Sequence, residues 1–265
     1  MEVHGLSHPG NVRASNEDAM TWDLDLGFVA VADGMGGHQA GEVASSLALD
    51  AILSFIRKSA ATNDFTWPFG VNPRLSLTAN RLGTAIKIGN RRVFKRSEEV
   101  PDYVGMGTTV VALVADGSRV TFASVGDSRI YAFKEGTLRQ LTRDDSWVVM
   151  LAEEQGVTPE TLRTHPMRNV LTNVVGARPE LEIQAAEIDL EHETLLLCSD
   201  GLHTSLSSEE ITEVLVAESD LQRAAKALIR NALERDGKDN ITAVLVRLSA
   251  TDQDTRLVDQ DTRVK

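Results

Sequence analysis

The apolar and polar positions change period several times along the chain. LGFVAVAD (26–33) is a short apolar run that stops at an acid, which predicts a strand whose end presents Asp33. After a glycine-rich stretch, EVASSLALDAILSFIRK (42–58) repeats apolar residues at helical spacing and predicts a helix. ATNDFTWPFGVNP (61–73) is broken by two prolines and a glycine and reads as loop. RLSLTANRLGTAIKIGNRRVFKR (74–96) returns to the helical period, with Leu77, Leu82, Ile86, Ile88 and Val93 as core positions. Gly83 and Gly89 weigh against its continuity.

The pattern turns to alternation at Gly105. TTVVALVADG and RVTFASVGDSRIYAFKEGTLRQLT favour β-branched residues, with DGSR, GDSR and KEGT between the runs. They predict three antiparallel strands joined by tight turns. Residues 143–178 are mixed and polar, with one short helix expected at 146–155. LEIQAAEID, TLLLCSDG and ITAVLVRLS predict further strands. SSEEITEVLVAES and DLQRAAKALIRNALERDG predict helices, the first opened by a serine–glutamate capping pattern at Ser207 or Ser208 and Glu210. Hairpins outnumber βαβ units, so the class is α+β, with helices against antiparallel sheets. No linker divides the chain: one domain is expected over 1–250, followed by a polar, flexible tail over 251–265 that repeats DQDTR.

Composition narrows the function. The 265 residues are 42% hydrophobic, enough for a sizeable core. No run of 18 apolar residues and no signal-like start appear, so a cytoplasmic protein outside the membrane is expected. Cys198 is the single cysteine, set in a buried-looking run, and reads as a core thiol. The net charge of −12 argues against nucleic acid, although acids that hold metals would cancel part of it.

The candidate chemistry lies in acids at strand ends. Asp33 closes FVAVAD before Gly34, Asp127 follows ASVG, Asp200 closes TLLLCSD, and Asp239 precedes Asn240 and ITAVLVRL. Glu17 and Asp18 open another strand. Each alone is an ordinary turn residue, the reading kept for Asp102 and Asp116. The glycines at 34, 36, 37 and 41 let the backbone approach whatever Asp33 faces. Carboxylates, carbonyls and water suit magnesium and manganese, whereas one cysteine and no HExxH leave zinc unsupported. Neither GxxxxGK[ST] nor GxSxG is present. Divalent cations would remove the mutual repulsion of gathered acids, and two of them suit phosphoryl chemistry.

Eight motifs, in order, carry a resemblance: RASNEDA (13–19), VADGMGGHQAGEVAS (31–45), GMGTTVVAL (105–113), VGDSRIY (125–131), LTRDDSWV (141–148), HPMRNVLTNVVG (165–176), LLLCSDGLH (195–203) and KDNITAVLV (238–246). Over about residues 3–249 the chain resembles the metal-dependent serine/threonine protein phosphatases of the PP2C (PPM) type in their compact bacterial form. The resemblance implies a four-layer αββα sandwich, two stacked antiparallel sheets flanked by antiparallel helices, with the metals at one edge. It implies two core Mn2+ or Mg2+ ions and a weaker third. Asp33 looks like the bridging carboxylate and Gly34 a carbonyl ligand; Glu17 resembles a direct ligand and Asp18 one acting through water. Asp200 and Asp239 look like ligands of the first ion, Asp127 with Asp200 like the third site, and Arg13 like the phosphate-binding arginine. Asn240 would orient the Asp239 loop.

By the same resemblance, a hydroxide held between the metals attacks phosphoserine or phosphothreonine with no covalent phosphoenzyme. Two positions depart from the pattern. Met35 stands where eukaryotic members carry a histidine general acid, leaving His38 as proton donor or loop-ordering residue. Thr204 stands where some members carry a third-site aspartate. Residues 144–172 correspond to the family's flap, expected to bear on substrate choice through Trp147 and Arg168. His4, His8, His165, His192 and His203 are expected to be non-ligands. The expected partners are phosphorylated proteins, including a serine/threonine kinase and its substrates, acted on by a monomer. The alternative is a non-catalytic phosphoprotein-binding regulatory module on the same fold.

Overall fold

The computed structural model describes residues 1–37, 40–62, 66–158 and 165–248. The chain order is β1 (Glu2–His8), β2 (Asp18–Asp23), β3 (Phe28–Met35), α1 (Ala40–Ala61), α2 (Leu77–Glu99), β4 (Gly107–Thr108), β5 (Val110–Asp116), β6 (Arg119–Val125), β7 (Arg129–Lys134) and β8 (Thr137–Gln140). It continues through α3 (Trp147–Gln155), β9 (Gln184–Asp189), β10 (Thr194–Cys198), α4 (Asp200–Ser205), α5 (Ser208–Ala217), α6 (Leu221–Arg235) and β11 (Ile241–Arg247). One sheet has the order β1-β11-β10-β7-β8; the other runs β2-β3-β5-β6-β9, with β4 added against β3. All the named pairings are antiparallel.

The period-2 rule explains the four layers. In β3, Phe28, Ala30 and Ala32 join a core with α1 and α2, while Val29 and Val31 face the other sheet. In β10, Leu196 and Cys198 face α4 to α6 while Leu195 and Leu197 face inward between the sheets. β11 divides the same way, Ile241, Ala243 and Leu245 outward and Val244 and Val246 inward. A strand covered on both faces has no polar side, which is why these strands read as unbroken apolar runs. The result is an αββα sandwich with one core between the sheets and one under each helical layer.

Several sequence expectations need correction. α2 runs unbroken through Gly83 and Gly89. At Gly89 a Cβ would stand 3.3 Å from the Ala48 carbonyl oxygen, so the glycine serves close packing against α1. Leu82, Ile86 and Val93 are core, but Leu77 is 57% exposed in the first turn and Ile88 is half-buried. GDSR joins no hairpin: β6 and β7 lie in different sheets, so this turn carries the chain from one layer to the next. β3 does not stop at Asp33 but continues to Met35, where β4 pairs with it. β1 escaped the sequence pattern because EVHGLSH has few apolar residues, yet it takes the edge place beside β11. The predicted capping box is present between Ser207 and Glu210. The 251–265 tail lies outside the described residues.

Candidate functional site

The cross-strand register first brings acids together. Asp18 on β2 lies directly opposite Asp33 on β3. Asp200 begins α4 just after β10, and Asp239 just precedes β11, the strand beside β10. Asp127 sits in the turn that crosses between sheets. Asp33 feels the charges of Asp18, Asp200, Asp127 and Asp239, in that order. Thus the sandwich gathers Asp18, Asp33, Asp127, Asp200 and Asp239 at one end.

Burial drives the titration of four of these carboxyls upward. Asp33 is pushed well above the usual carboxylate range by burial and then by Asp18, Asp200 and Asp127. Asp18 is raised by burial against the lowering effect of the Thr242 and Ser199 hydroxyls. Asp127 is raised by burial, Asp200 and Asp144, and Asp200 by burial and Asp239. Glu17 is raised by burial, with Arg13 opposing. Two cations border these acids: Arg129 lowers Asp127 in part, and Arg13 stands at the Asp239 edge. There Arg13 Nη2 donates to Asp239 Oδ2 at 2.7 Å.

The supports are mostly hydroxyls and backbone groups, which the sequence did not single out. Asp18 Oδ2 accepts from Ser199 Oγ at 2.7 Å and Thr242 Oγ1 at 2.6 Å. Thr242 Oγ1 also meets Ser7 Oγ at 2.7 Å, and Asn16 donates to Ser7. The Asp33 N–H donates to Thr109 Oγ1, and the Asp33 carbonyl accepts from the Thr108 hydroxyl and the Thr109 N–H. Ser45 Oγ holds the Glu17 carbonyl at 2.6 Å. Ser199 stands next to Asp200 and Thr242 three residues after Asp239, but Thr108 and Thr109 have no acid near them in the sequence.

Asn240 does something different from orienting the Asp239 loop alone. Its Oδ1 accepts from the Glu17 N–H at 2.7 Å, and its Nδ2 donates to the Pro9 and Ser15 carbonyls. It therefore clasps the loop that carries Arg13 and Glu17. The glycines have a matching role. A Cβ on Gly41 would stand 2.6 Å from Glu17 Cδ, and one on Gly34 would stand 2.1 Å from the Gly41 carbonyl oxygen. Only glycine lets α1 begin this close to Glu17.

His38 lies outside the described residues. Thr204 Oγ1 donates to the Asp200 carbonyl at 2.8 Å, one helical turn back. His203 Nε2 lies 3.0 Å from the Asp127 carbonyl oxygen, and burial pushes its imidazole down to about 4. Trp147 stacks at 4.8 Å on His165.

The donor set fits a hard divalent cation. It offers carboxylates and carbonyls rather than sulfur or imidazole. Asp18 Oδ1 is buried without a hydrogen-bond partner, an acceptor still open for a water or a cation. Among the described residues, no three or more His, Cys, Asp or Glu side chains close on one point as a finished cage. The acids are gathered, and final ligand distances would be set by the ion.

Two antiparallel sheets between helical layers, with acids collected at one end, define the class of fold as an αββα sandwich. The protein phosphatase 2C family model matches residues 5–245. The chain is 38% identical over 242 residues to the serine/threonine protein phosphatase PstP of Mycobacterium tuberculosis, covering 90% of this chain and 43% of that relative. It therefore spans less than half the length of PstP. It is 34% identical over 250 residues to the serine/threonine phosphatase stp of Listeria monocytogenes, covering 91% of this chain and 94% of that one. Among solved structures, the S. agalactiae serine/threonine phosphatase superposes with a TM-score of 0.82 at 33% identity, covering 94% and 99% of the two chains. The catalytic domain of PstP in complex with two manganese ions gives 0.76 at 33% identity, covering 92% and 96%. The chain belongs to the protein phosphatase 2C family.

Proposed function

We propose that the chain hydrolyses phosphoserine and phosphothreonine in proteins, with Mn2+ or Mg2+ at the gathered acids. The observation that carries this is Asp18 set directly opposite Asp33, with Asp18 Oδ1 buried and without a hydrogen-bond partner, at the end of the sandwich where Asp127, Asp200 and Asp239 also lie. Family membership and the relative solved with two manganese ions support the same reading. Bound there, the cations supply charge neutralisation for the phosphoryl oxygens and acidify water.

The chain's own residues do the rest. Asp33, Glu17, Asp18, Asp200, Asp239 and the Gly34 carbonyl would hold the two core ions. Asp127 and Asp200 serve a weaker third. Thr204 would add little to it, since a neutral hydroxyl is a weaker ligand for a hard cation than the aspartate some members carry there. Arg13 presents a planar fork to two phosphoryl oxygens, held in place by Asp239. Asn240 fixes the loop from which Arg13 and Glu17 project. His38 is kept as the candidate donor to the leaving alcohol. The phosphoryl group passes to water directly, with no protein nucleophile. Substrates are phosphorylated proteins, a serine/threonine kinase and its targets among them, met in the cytoplasm by a monomer.

The test is phosphate release from a phosphothreonine peptide, with and without Mn2+, in wild type and Asp33→Asn. Release that needs the metal and falls roughly 10²–10³-fold in the variant is expected. Release unchanged in EDTA would refute the metal site. No release from folded, manganese-bound wild type would favour a non-catalytic phosphoprotein-binding module.

A further inference from the structure

Beside the acid cluster stands one aspartate with a different kind of environment. Asp145 is 8% exposed, and its carboxylate accepts three N–H groups from three separate segments. Oδ2 accepts from the Gly126 N–H at 3.1 Å and from Asn173 Nδ2 at 2.8 Å. Oδ1 accepts from Gln184 Nε2 at 2.5 Å. Its backbone is used as fully: the Asp145 N–H donates to the Gly126 carbonyl at 2.8 Å, and the Asp145 carbonyl accepts from the Thr172 N–H at 2.8 Å and the Thr172 hydroxyl at 3.0 Å.

These bonds meet at a junction. Gly126 begins the turn that holds Asp127. Its φ is +94°, and a Cβ there would stand 2.6 Å from Thr109 Cγ2. Thr109 in turn binds the Asp33 backbone and meets Ser128 Oγ at 2.7 Å. On the other side, residues 145–147 and 170–172 are the two roots of the excursion that leaves the sandwich after Asp144. The roots are paired by a Ser146–Leu171 bridge and a bond from the Trp147 N–H to the Val170 carbonyl. Asn173 and Gln184 add the returning chain and the start of β9.

We propose that Asp145 is a positioning residue that locks both roots of the 144–173 excursion to the Gly126–Ser128 turn, so that the roots and the Asp127 carboxylate are held as one body. A carboxylate is required because all three side-chain partners are donors, and it is acceptor-only. Asparagine places one NH2 among donors; the Gln184 amide can turn to meet it, at the loss of its 3.2 Å bond to the Arg143 carbonyl. Alanine leaves the Gly126 N–H, buried as it is, without a partner. The expected order of damage is therefore alanine, then asparagine, then Asn173→Ala, which removes one donor and leaves the carboxylate.

Hydrogen exchange on the full chain, without added metal, tests the joint. In Asp145→Ala, protection at Gly126 and Thr172 is expected to fall about tenfold or more, while α2 and β3 keep theirs. Asp145→Asn is the second variant if the alanine form does not fold, with the same two amides losing about threefold or more. Unchanged protection at Gly126 and Thr172, or an equal loss across α2 and β3 in the asparagine form, would overturn the joint.

A second arm rests on the phosphatase reading. For Asp145→Asn with Mn2+, KM for a phosphothreonine peptide is expected to rise more than kcat falls, and Gln184→Ala should reproduce part of the effect. A fall in kcat with KM unchanged would contradict positioning. Wild type that releases no phosphate would sink the phosphatase reading, while the exchange result would still decide the joint.

Discussion

Two groups of buried charge lie side by side and are treated in opposite ways. Asp144 is 8% exposed and is gripped by Arg129 through Nε at 3.0 Å and Nη2 at 2.7 Å, with Gln140 adding a third donor. Arg129 also donates to the Tyr131 hydroxyl. At the same end of the sandwich, the half-buried Asp18, Asp33, Asp127 and Asp200 act on one another, and desolvation raises all four. The first group has its counter-ion built into the fold and needs nothing further. The second keeps a deficit of positive charge that a bound cation can fill. The contrast separates an ion pair completed by the fold from a cluster with room for a cation, although each member reads in the sequence as a single acid near a strand end.

The largest effect should come from breaking the completed pair. Asp144→Ala leaves the Arg129 guanidinium buried without its carboxylate, a change that costs about 3–5 kcal/mol of stability by analogy with other broken buried pairs. Urea unfolding of the metal-free protein measures it. Asp127→Asn should do the reverse in the same assay and leave stability equal or higher, because it removes one of the repelling charges. A matching loss in both variants would erase the distinction.

Next in size is the response of the acid cluster to cations and pH. Carboxyls raised in the folded chain bind protons that the unfolded chain has already released. Folding is therefore favoured by their protonation, and this contribution is lost as pH rises from about 4, the ordinary carboxylate value, through the raised values. Metal-free protein should melt at falling temperature over that range as far as this cluster governs it. Mn2+ at a hundredfold excess over its dissociation constant should add about 2.7 kcal/mol at pH 7. A melting temperature indifferent to Mn2+ would contradict a cation site.

The smallest effect concerns Cys198, fully buried two residues before Asp200, where burial pushes the thiol up to about 12. It should resist an aromatic disulfide reagent until the chain unfolds, and denaturant should release one thiol. Prompt reaction in the native protein would show that the strand beneath Asp200 opens.

The acids that gather at one end of the sandwich were easier to read in the sequence than the path between them. Asp33, Asp127, Asp200 and Asp239 stand out because each interrupts or borders an apolar run, and the glycines around Asp33 advertise a close approach. Strand runs were legible because both faces of β3, β10 and β11 are covered. Sheet membership was not, since local pattern cannot distinguish a hairpin turn from the Gly126–Ser128 crossing. Ser199, Thr242 and Thr109 were invisible for a similar reason: a hydroxyl residue is common, and only pairing across strands gives it a partner. Asn240 was noticed for its neighbour Asp239, whereas its bonds reach Pro9, Ser15 and Glu17, more than 200 residues away in the chain.

Calorimetric titration of Mn2+ into metal-free wild type and Asp33→Asn tests the central claim most directly, because it asks for the cation without asking for activity. At least two ions should bind the wild type, with one lost or strongly weakened when Asp33 is neutralised. No binding to the folded wild type, or the same stoichiometry and affinity in the variant, would contradict the account.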